Sequence, residues 1–323
     1  MILLNASKRT GYQFTGFILI CLISLTGCES LVNDLGPDEL PKIESRLAVE
    51  CYISPQSARL EAVVTESQPL FGRASYDAVF VKNAEVILSG DTQKVRLVYD
   101  DSTTRYYADT SAFKVEAGKS YTLTVTDGKR SVRASTTVPV KRPTIKKFTV
   151  KIVPLDYSPD SIAQIRFSWE DIKGESNYYT VRGYAIAEET VPQYNNETGD
   201  IIPFRLINRW PFYYRDWNTF NDTNLDGITY NAPEYNVRIP QKRTVSYLDK
   251  NGVARSFYND ALLREVRAEV LNVDVNYYRF YNSLDNAGGG DNPFVEPTLV
   301  YTNIEGGLGC FGSYTVTSAT INP

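Results

Sequence analysis

Gly118-Lys-Ser-Tyr-Thr-Leu-Thr-Val-Thr-Asp-Gly-Lys-Arg-Ser-Val-Arg-Ala-Ser-Thr-Thr-Val138 reads as two strands joined by a turn. Tyr, Val, Thr and Leu favour an extended pleated chain. Asp127-Gly128 between two such runs is a two-residue hairpin signal, because glycine takes the positive φ that the turn demands. The same pattern extends backwards. Residues 46–53 alternate with period two, which places Leu47, Val49, Cys51 and Ile53 on one face. Leu60, Ala62 and Val64 repeat it, and shorter strands are expected at 84–88, 95–99 and 105–108, the first two separated by Ser89-Gly-Asp91. Seven short strands in roughly 95 residues, punctuated by regular turns, predict an immunoglobulin-like β-sandwich over 44–140.

Pro139 and Pro143 mark the expected end of that domain. The remainder, 141–323, reads as a second β-rich domain. Strands are expected at 145–153, 161–169, 177–187 and 263–273, with a less regular aromatic insertion across 188–235. Asp274 is a natural N-cap, and Gly288 lies just beyond the helix it would start. On that helix Tyr277, Phe280, Tyr281 and Leu284 share one face, which is expected to pack on a sheet. Gly306-Gly-Leu-Gly309 lacks the Lys-Ser/Thr of a phosphate loop and reads as a tight turn or a close backbone approach. The expected fold is therefore mainly β, with one helix in the C-terminal half.

The first 43 residues read differently. Lys8 and Arg9 precede an apolar run at 14–25, too short to cross a bilayer and suited to a signal peptide. Leu25-Thr-Gly-Cys28 follows and resembles the lipobox of bacterial lipoproteins. Cleavage after residue 27 with acylation of Cys28 would anchor the protein, since two or more lipid chains hold it stably. Residues 28–43 then form an acidic, Pro-containing tether, as in some lipoproteins sent to the cell surface.

Composition removes several classes of function. The chain contains no histidine, which excludes Ser-His-Asp, Cys-His and His-metal chemistry. With 34 basic and 38 acidic residues, the loss of Lys8 and Arg9 leaves a body of net charge −6, which has no electrostatic footprint for nucleic acid. Adjacent acidic pairs such as Asp100-Asp101 and Glu188-Glu189 would point to opposite faces of a strand and do not form a glycosidase dyad. No catalytic residue is identified.

Three groups of residues are candidates for sites. Trp210, Tyr213, Tyr214 and Trp217 form a dense aromatic cluster suited to contact with a ligand or a protein partner. Asp222, Asn224 and Asp226 match the first half of a calcium loop, but Pro233 stands where the loop needs Glu. Cys51 and Cys310 remain after the signal cysteine and Cys28. They could pair as a disulfide or stand as two buried thiols.

The 47–53 strand, Asn83-Ala-Glu-Val86, the 118–125 strand, Phe220-Asn-Asp222 with Asp226-Gly227, the Tyr277–Leu284 face, Asn292-Pro-Phe-Val-Glu-Pro297 and Tyr301-Thr-Asn-Ile-Glu-Gly-Gly-Leu-Gly-Cys-Phe-Gly312 together resemble a known family. It is the set of Bacteroidota lipoproteins defined by domain of unknown function 4249. The resemblance implies an envelope lipoprotein, often encoded beside a TonB-dependent outer-membrane transporter; with the acidic tether, the expected location is the outer membrane, facing the cell surface. It implies no cofactor and no established activity. Non-catalytic roles are expected, with a hydrolase that uses carboxylates from distant positions as the remaining alternative, and the non-catalytic roles are two. One is capture of a glycan or peptide ligand for the transporter; the other is a structural or assembly role in an outer-membrane complex.

Overall fold

A computed structural model describes residues 44–68, 77–198, 200–213, 219–223, 226–287 and 299–323, the side chains at 212 and 213 excepted. The expected signal segment, Cys28 and the tether lie outside the described residues.

The alternating segments are strands. β1 (Leu47–Ile53) and β2 (Arg59–Glu66) pair antiparallel, and β3 (Val79–Phe80) adds to β2. β4 (Glu85–Ser89), β5 (Lys94–Asp100) and β6 (Arg105–Asp109) follow. β7 (Ser120–Thr126) and β8 (Ser131–Thr137) form the expected hairpin. Its tip is Gly128-Lys129, one place later than Asp127-Gly128, because Asp127 turns inward. Its Oδ1 accepts the Lys129 and Arg130 amides at 2.9 and 2.7 Å. The second half holds β9 (Thr144–Pro154), β10 (Ser161–Glu170), β11 (Tyr178–Tyr194), β12 (Ile201–Tyr213) and β13 (Phe220–Asn221). β14 (Thr229–Asn231), β15 (Tyr235–Ile239), β16 (Arg243–Leu248), β17 (Ala254–Asn259) and β18 (Ala261–Val273) follow. Helix α1 (Val275–Ala287) and β19 (Leu308–Ile321) end the chain. The mainly β fold with one C-terminal-half helix is as expected.

One correction concerns 188–235. Much of this segment is regular: β11 and β12 form a long hairpin paired from Arg182–Tyr213 to Tyr194–Ile201. Pro192, Pro203 and Pro211 interrupt the sequence pattern, yet the ladder tolerates them: Pro203 and Pro211 are on β12 at the sheet edge, and Pro192 is on β11 beyond Glu189, where its pairing with β18 ends.

A 13-stranded sheet runs β12-β11-β18-β19-β1-β2-β6-β5-β4-β7-β8 with β13 and β3 at its side, and β9, β14 and β15 flank β10 in a second sheet. Two cores lie against the large sheet. The first gathers Leu47, Val49, Leu60, Val64, Val86, Leu97, Leu123 and Val132. The second gathers Ile165, Phe167, Trp169, Tyr179, Val181, Val266 and Val270. There the fully buried Trp169 stacks on Tyr230 at 5.2 Å between ring centroids. Such a pair adds about 0.5–1.5 kcal/mol beyond its buried area.

β19 joins the halves. It pairs parallel with β1 and antiparallel with β18, and it sends Phe311 into the first core. The junction depends on glycine. Gly309 has φ +97° and lies opposite Val49, and a Cβ there would sit 2.1 Å from the Val49 carbonyl oxygen. The expected close backbone approach at 306–309 is therefore present.

Candidate functional site

Strands with one apolar face have a second face to place. In β1 the odd residues enter the first core, so Glu50 and Tyr52 point the other way. In β18 Val266, Ala268 and Val270 enter the second core, which turns Arg267 and Glu269 outward. β11 does the same with Val181 and Ala185 against Arg182 and Tyr184, and β2 with Leu60, Ala62 and Val64 against Arg59 and Glu61. Register then brings these outward residues together. Arg182 faces Glu269, Tyr184 faces Arg267, and Glu269 faces Ser318. The result is a cavity of about 1250 Å³ on one face of seven consecutive strands, β12 to β6, lined by six arginines, five tyrosines and three glutamates.

The charges are unevenly matched. Glu269, 13% exposed, accepts Arg182 Nε at 2.8 Å and Arg267 Nε at 2.9 Å, so one carboxylate serves two guanidinium groups. Arg105 pairs with Glu61 at 3.3 Å. Arg59, Arg142 and Arg209 have no ion-pair partner among the described residues. Several guanidinium groups instead rest on tyrosine rings: Arg209 lies 3.8 Å above Tyr184, Arg59 5.4 Å from Tyr107 and Arg182 5.6 Å from Tyr314. Stacking of this kind holds the planar fork while leaving its N–H edges free. Burial raises the pKa of the Glu50 carboxyl, with Arg105 opposing. Burial disfavours the Arg182 cation, but Tyr314 and Glu269 more than compensate and its pKa is raised.

Helix α1 covers one end of this face. Asp274 caps it as expected: Oδ1 accepts the Tyr277 amide at 2.8 Å, while Oδ2 accepts the Ser313 amide at 2.8 Å, the Ser313 hydroxyl at 2.9 Å and the Thr136 hydroxyl. Burial raises the pKa of this carboxyl, opposed by those hydrogen bonds. Tyr277 and Phe280 are buried and Leu284 is exposed. Tyr277 and Tyr281 pack with Tyr52 and also line the cavity. The helical face is thus both packing surface and cavity wall.

The disulfide alternative for Cys51 and Cys310 is not formed; both are free and buried. In the parallel ladder Cys310 faces Glu50 while Cys51 faces Phe311, so the two thiols lie on opposite sides of the sheet. Burial pushes the Cys51 thiol to about 12 and the Cys310 thiol well above its ordinary value, which makes both inert.

The other candidates are dispersed. Trp210 lies half-buried against the second core, while its neighbour Arg209 points into the cavity. The Tyr213 side chain, Tyr214, Trp217 and Asn224 lie outside the described residues. Asp222 Oδ2 accepts the Asn177 amide at 2.9 Å and Asp226 Oδ1 the Gly174 amide at 2.7 Å, so both carboxylates brace loops. Among the described residues no group of three metal-binding side chains is present. Sequence reasoning missed the cavity arginines. Their signal, a charged residue at every second position of an otherwise apolar strand, is that of any solvated sheet face; strand order alone gathers them.

A family model described as domain of unknown function (DUF4249) matches residues 34–320. Among curated proteins none matches the chain.

Proposed function

The chain belongs to the DUF4249 family, and from that premise and the geometry of the cavity we propose that it is a lipid-anchored, ligand-capturing accessory of a TonB-dependent transporter. It would be a Bacteroidota lipoprotein held in the outer membrane through Cys28 and facing the cell surface. It would bind without catalysis. The observation that carries this reading is the cavity itself. It is larger than the roughly 300–1,000 Å³ of ordinary small-molecule sites, and it concentrates guanidinium groups in a chain of net charge −4. Two of its three glutamates, Glu61 and Glu269, are committed to arginines, which suits binding better than acid–base work.

The second reading, a structural or assembly subunit, draws on a different surface. Along β12, Ile202, Phe204 and Leu206 alternate as exposed apolar side chains on the face opposite Arg209. Apolar exposure of this extent marks protein contact, and in the first reading the same surface would meet the transporter.

The experiment is a native pull-down from outer membranes in mild detergent, using a C-terminal tag, alongside Cys28→Ser. Stoichiometric recovery of a TonB-dependent transporter, and release of the Cys28→Ser protein from the membrane fraction, support the proposal. Recovery of an insertion or secretion machine instead would favour the assembly reading. Recovery of the protein alone would overturn both partnerships.

A further inference from the structure

The cavity has an internal charge pattern. Arg209, Arg182 and Arg267 sit on the neighbouring strands β12, β11 and β18, and Arg59 and Arg105 on β2 and β6. Between these two clusters run β19 and β1, which themselves present no cation and place Glu50 at the centre. The sixth arginine, Arg142, lies between β8 and β9 and follows Lys141, whose carbonyl accepts Asn272 of β18 and Thr315 of β19, so it adds to the first cluster's side. β18 and β2 are three strand steps apart, about 14 Å along the sheet. No single small anion reaches both clusters at that separation. The middle offers hydroxyls and an amide instead, from Ser318, Tyr314 and Gln56.

We infer that the groove binds an acidic oligosaccharide laid across the strands, with anionic groups on the two arginine clusters and neutral, hydroxyl-bearing units between them. The inference rests on the ligand-capture reading above and names its ligand class. Arg209, on the Tyr184 ring, and Arg59, over Tyr107 with Asp109 across the ladder but no ion pair formed among the described residues, are the positions prepared for oxyanions. Planar forks of this kind grip carboxylates with two parallel hydrogen bonds. The occupied ring faces argue against nucleobases, which need a bare aromatic face to stack on. Glu50 at the centre argues against a polyanion charged at every unit, such as polyphosphate, since a like charge would lie directly over it.

The test is calorimetric titration of the purified protein with a hyaluronan hexasaccharide, in which acidic glucuronate alternates with neutral N-acetylglucosamine, and with monomeric glucuronate, hexagalacturonate, maltohexaose, hexaglutamate and linear polyphosphate. The expected result is that the hyaluronan hexasaccharide binds at least tenfold tighter than each of the others, with affinity falling as salt rises. The double variant Arg59→Gln/Arg209→Gln should lose at least tenfold, with unchanged circular dichroism and melting temperature. Arg166→Gln, a control on the exposed face of β10 away from the groove, should bind as the parent does. Tightest binding of hexagalacturonate, which is charged at every unit, would overturn the spaced-charge pattern, and tightest binding of maltohexaose, hexaglutamate or polyphosphate would overturn the ligand class; either would leave capture standing. Equal affinity for monomer and hexamer would overturn the two-cluster argument. Heat from no probe at all would overturn this inference, and a transporter still recovered in the pull-down would show that the partnership survives without it.

Discussion

Gly309→Ala should be among the most damaging single-atom additions to this protein. The backbone φ of +97° is unfavourable for any residue with a side chain, at a cost of about 1–3 kcal/mol. The new methyl would also sit 2.1 Å from the Val49 carbonyl oxygen, about 1.2 Å inside the ~3.3 Å of a close C–H···O contact. Nothing flexible lies there to move, because the obstacle is the backbone of the adjacent strand. Relief requires β1 and β19 to part locally, with the loss of about two ladder hydrogen bonds at ~1 kcal/mol each. The total is about 3–5 kcal/mol, a large share of the 5–15 kcal/mol typical of a folded protein. Gly128→Ala is the matched control: its φ is +88° and nothing lies within 4 Å of the added carbon, so it should lose only the backbone part, about 1–2 kcal/mol. Urea unfolding of both variants against the parent measures the difference. Equal losses, within about 0.5 kcal/mol, would refute the claim that close approach of β1 and β19 joins the two halves.

Other consequences are open to direct measurement. Asp274→Ala removes a helix cap and leaves Ser313 and Thr136 buried without their acceptor, which should cost about 2–4 kcal/mol in the same unfolding assay. Asp127 is held at about 2 by the Arg130 amide and guanidinium. A depressed carboxylate stabilises above its unfolded value and loses that contribution as pH falls toward the folded one, so Asp127→Asn should cost about 1 kcal/mol at pH 7, after allowance for solvent screening, and far less near pH 2. Alkylation of the native protein should label neither Cys51 nor Cys310, and unfolding without reductant should expose two thiols; a protein that needs reductant first would contain the disulfide. Because Glu50 has a raised pKa, it takes up its proton at a higher pH than an ordinary glutamate. Neutralising it adds to the positive surplus of the groove, so affinity for an anion of low pKa should rise as pH falls through the raised Glu50 value, and Glu50→Gln should flatten that dependence in titrations at several pH values.

Local pattern carried much of the architecture. Alternation in 46–53, 120–138 and 263–273 placed strands and their buried faces, and Asp274 announced the helix. These signals depend on neighbours within a few residues, where propensity and burial act together. The β11–β12 hairpin was obscured because three prolines break the pattern, although two are on the edge strand β12 and Pro192 lies where β11 has left β18. The groove was hidden for a different reason. Arg59, Arg182, Arg209 and Arg267 are scattered over some 200 residues of sequence and become neighbours only because β19 returns to lie between β18 and β1. Nothing local distinguishes an arginine on a solvated face from one in a cavity. Of the aromatic cluster, Trp210 packs inward while the adjacent Arg209 faces the groove.

Hydrogen-exchange mass spectrometry of the protein with and without its best-binding oligosaccharide tests the central claim most directly. The account predicts slowed exchange in β2, β11, β12, β18 and the far end of β19, with β4, β7 and β8 unchanged. Protection confined to the exposed apolar hairpin, or to the β9–β10 sheet, would place binding elsewhere and contradict it.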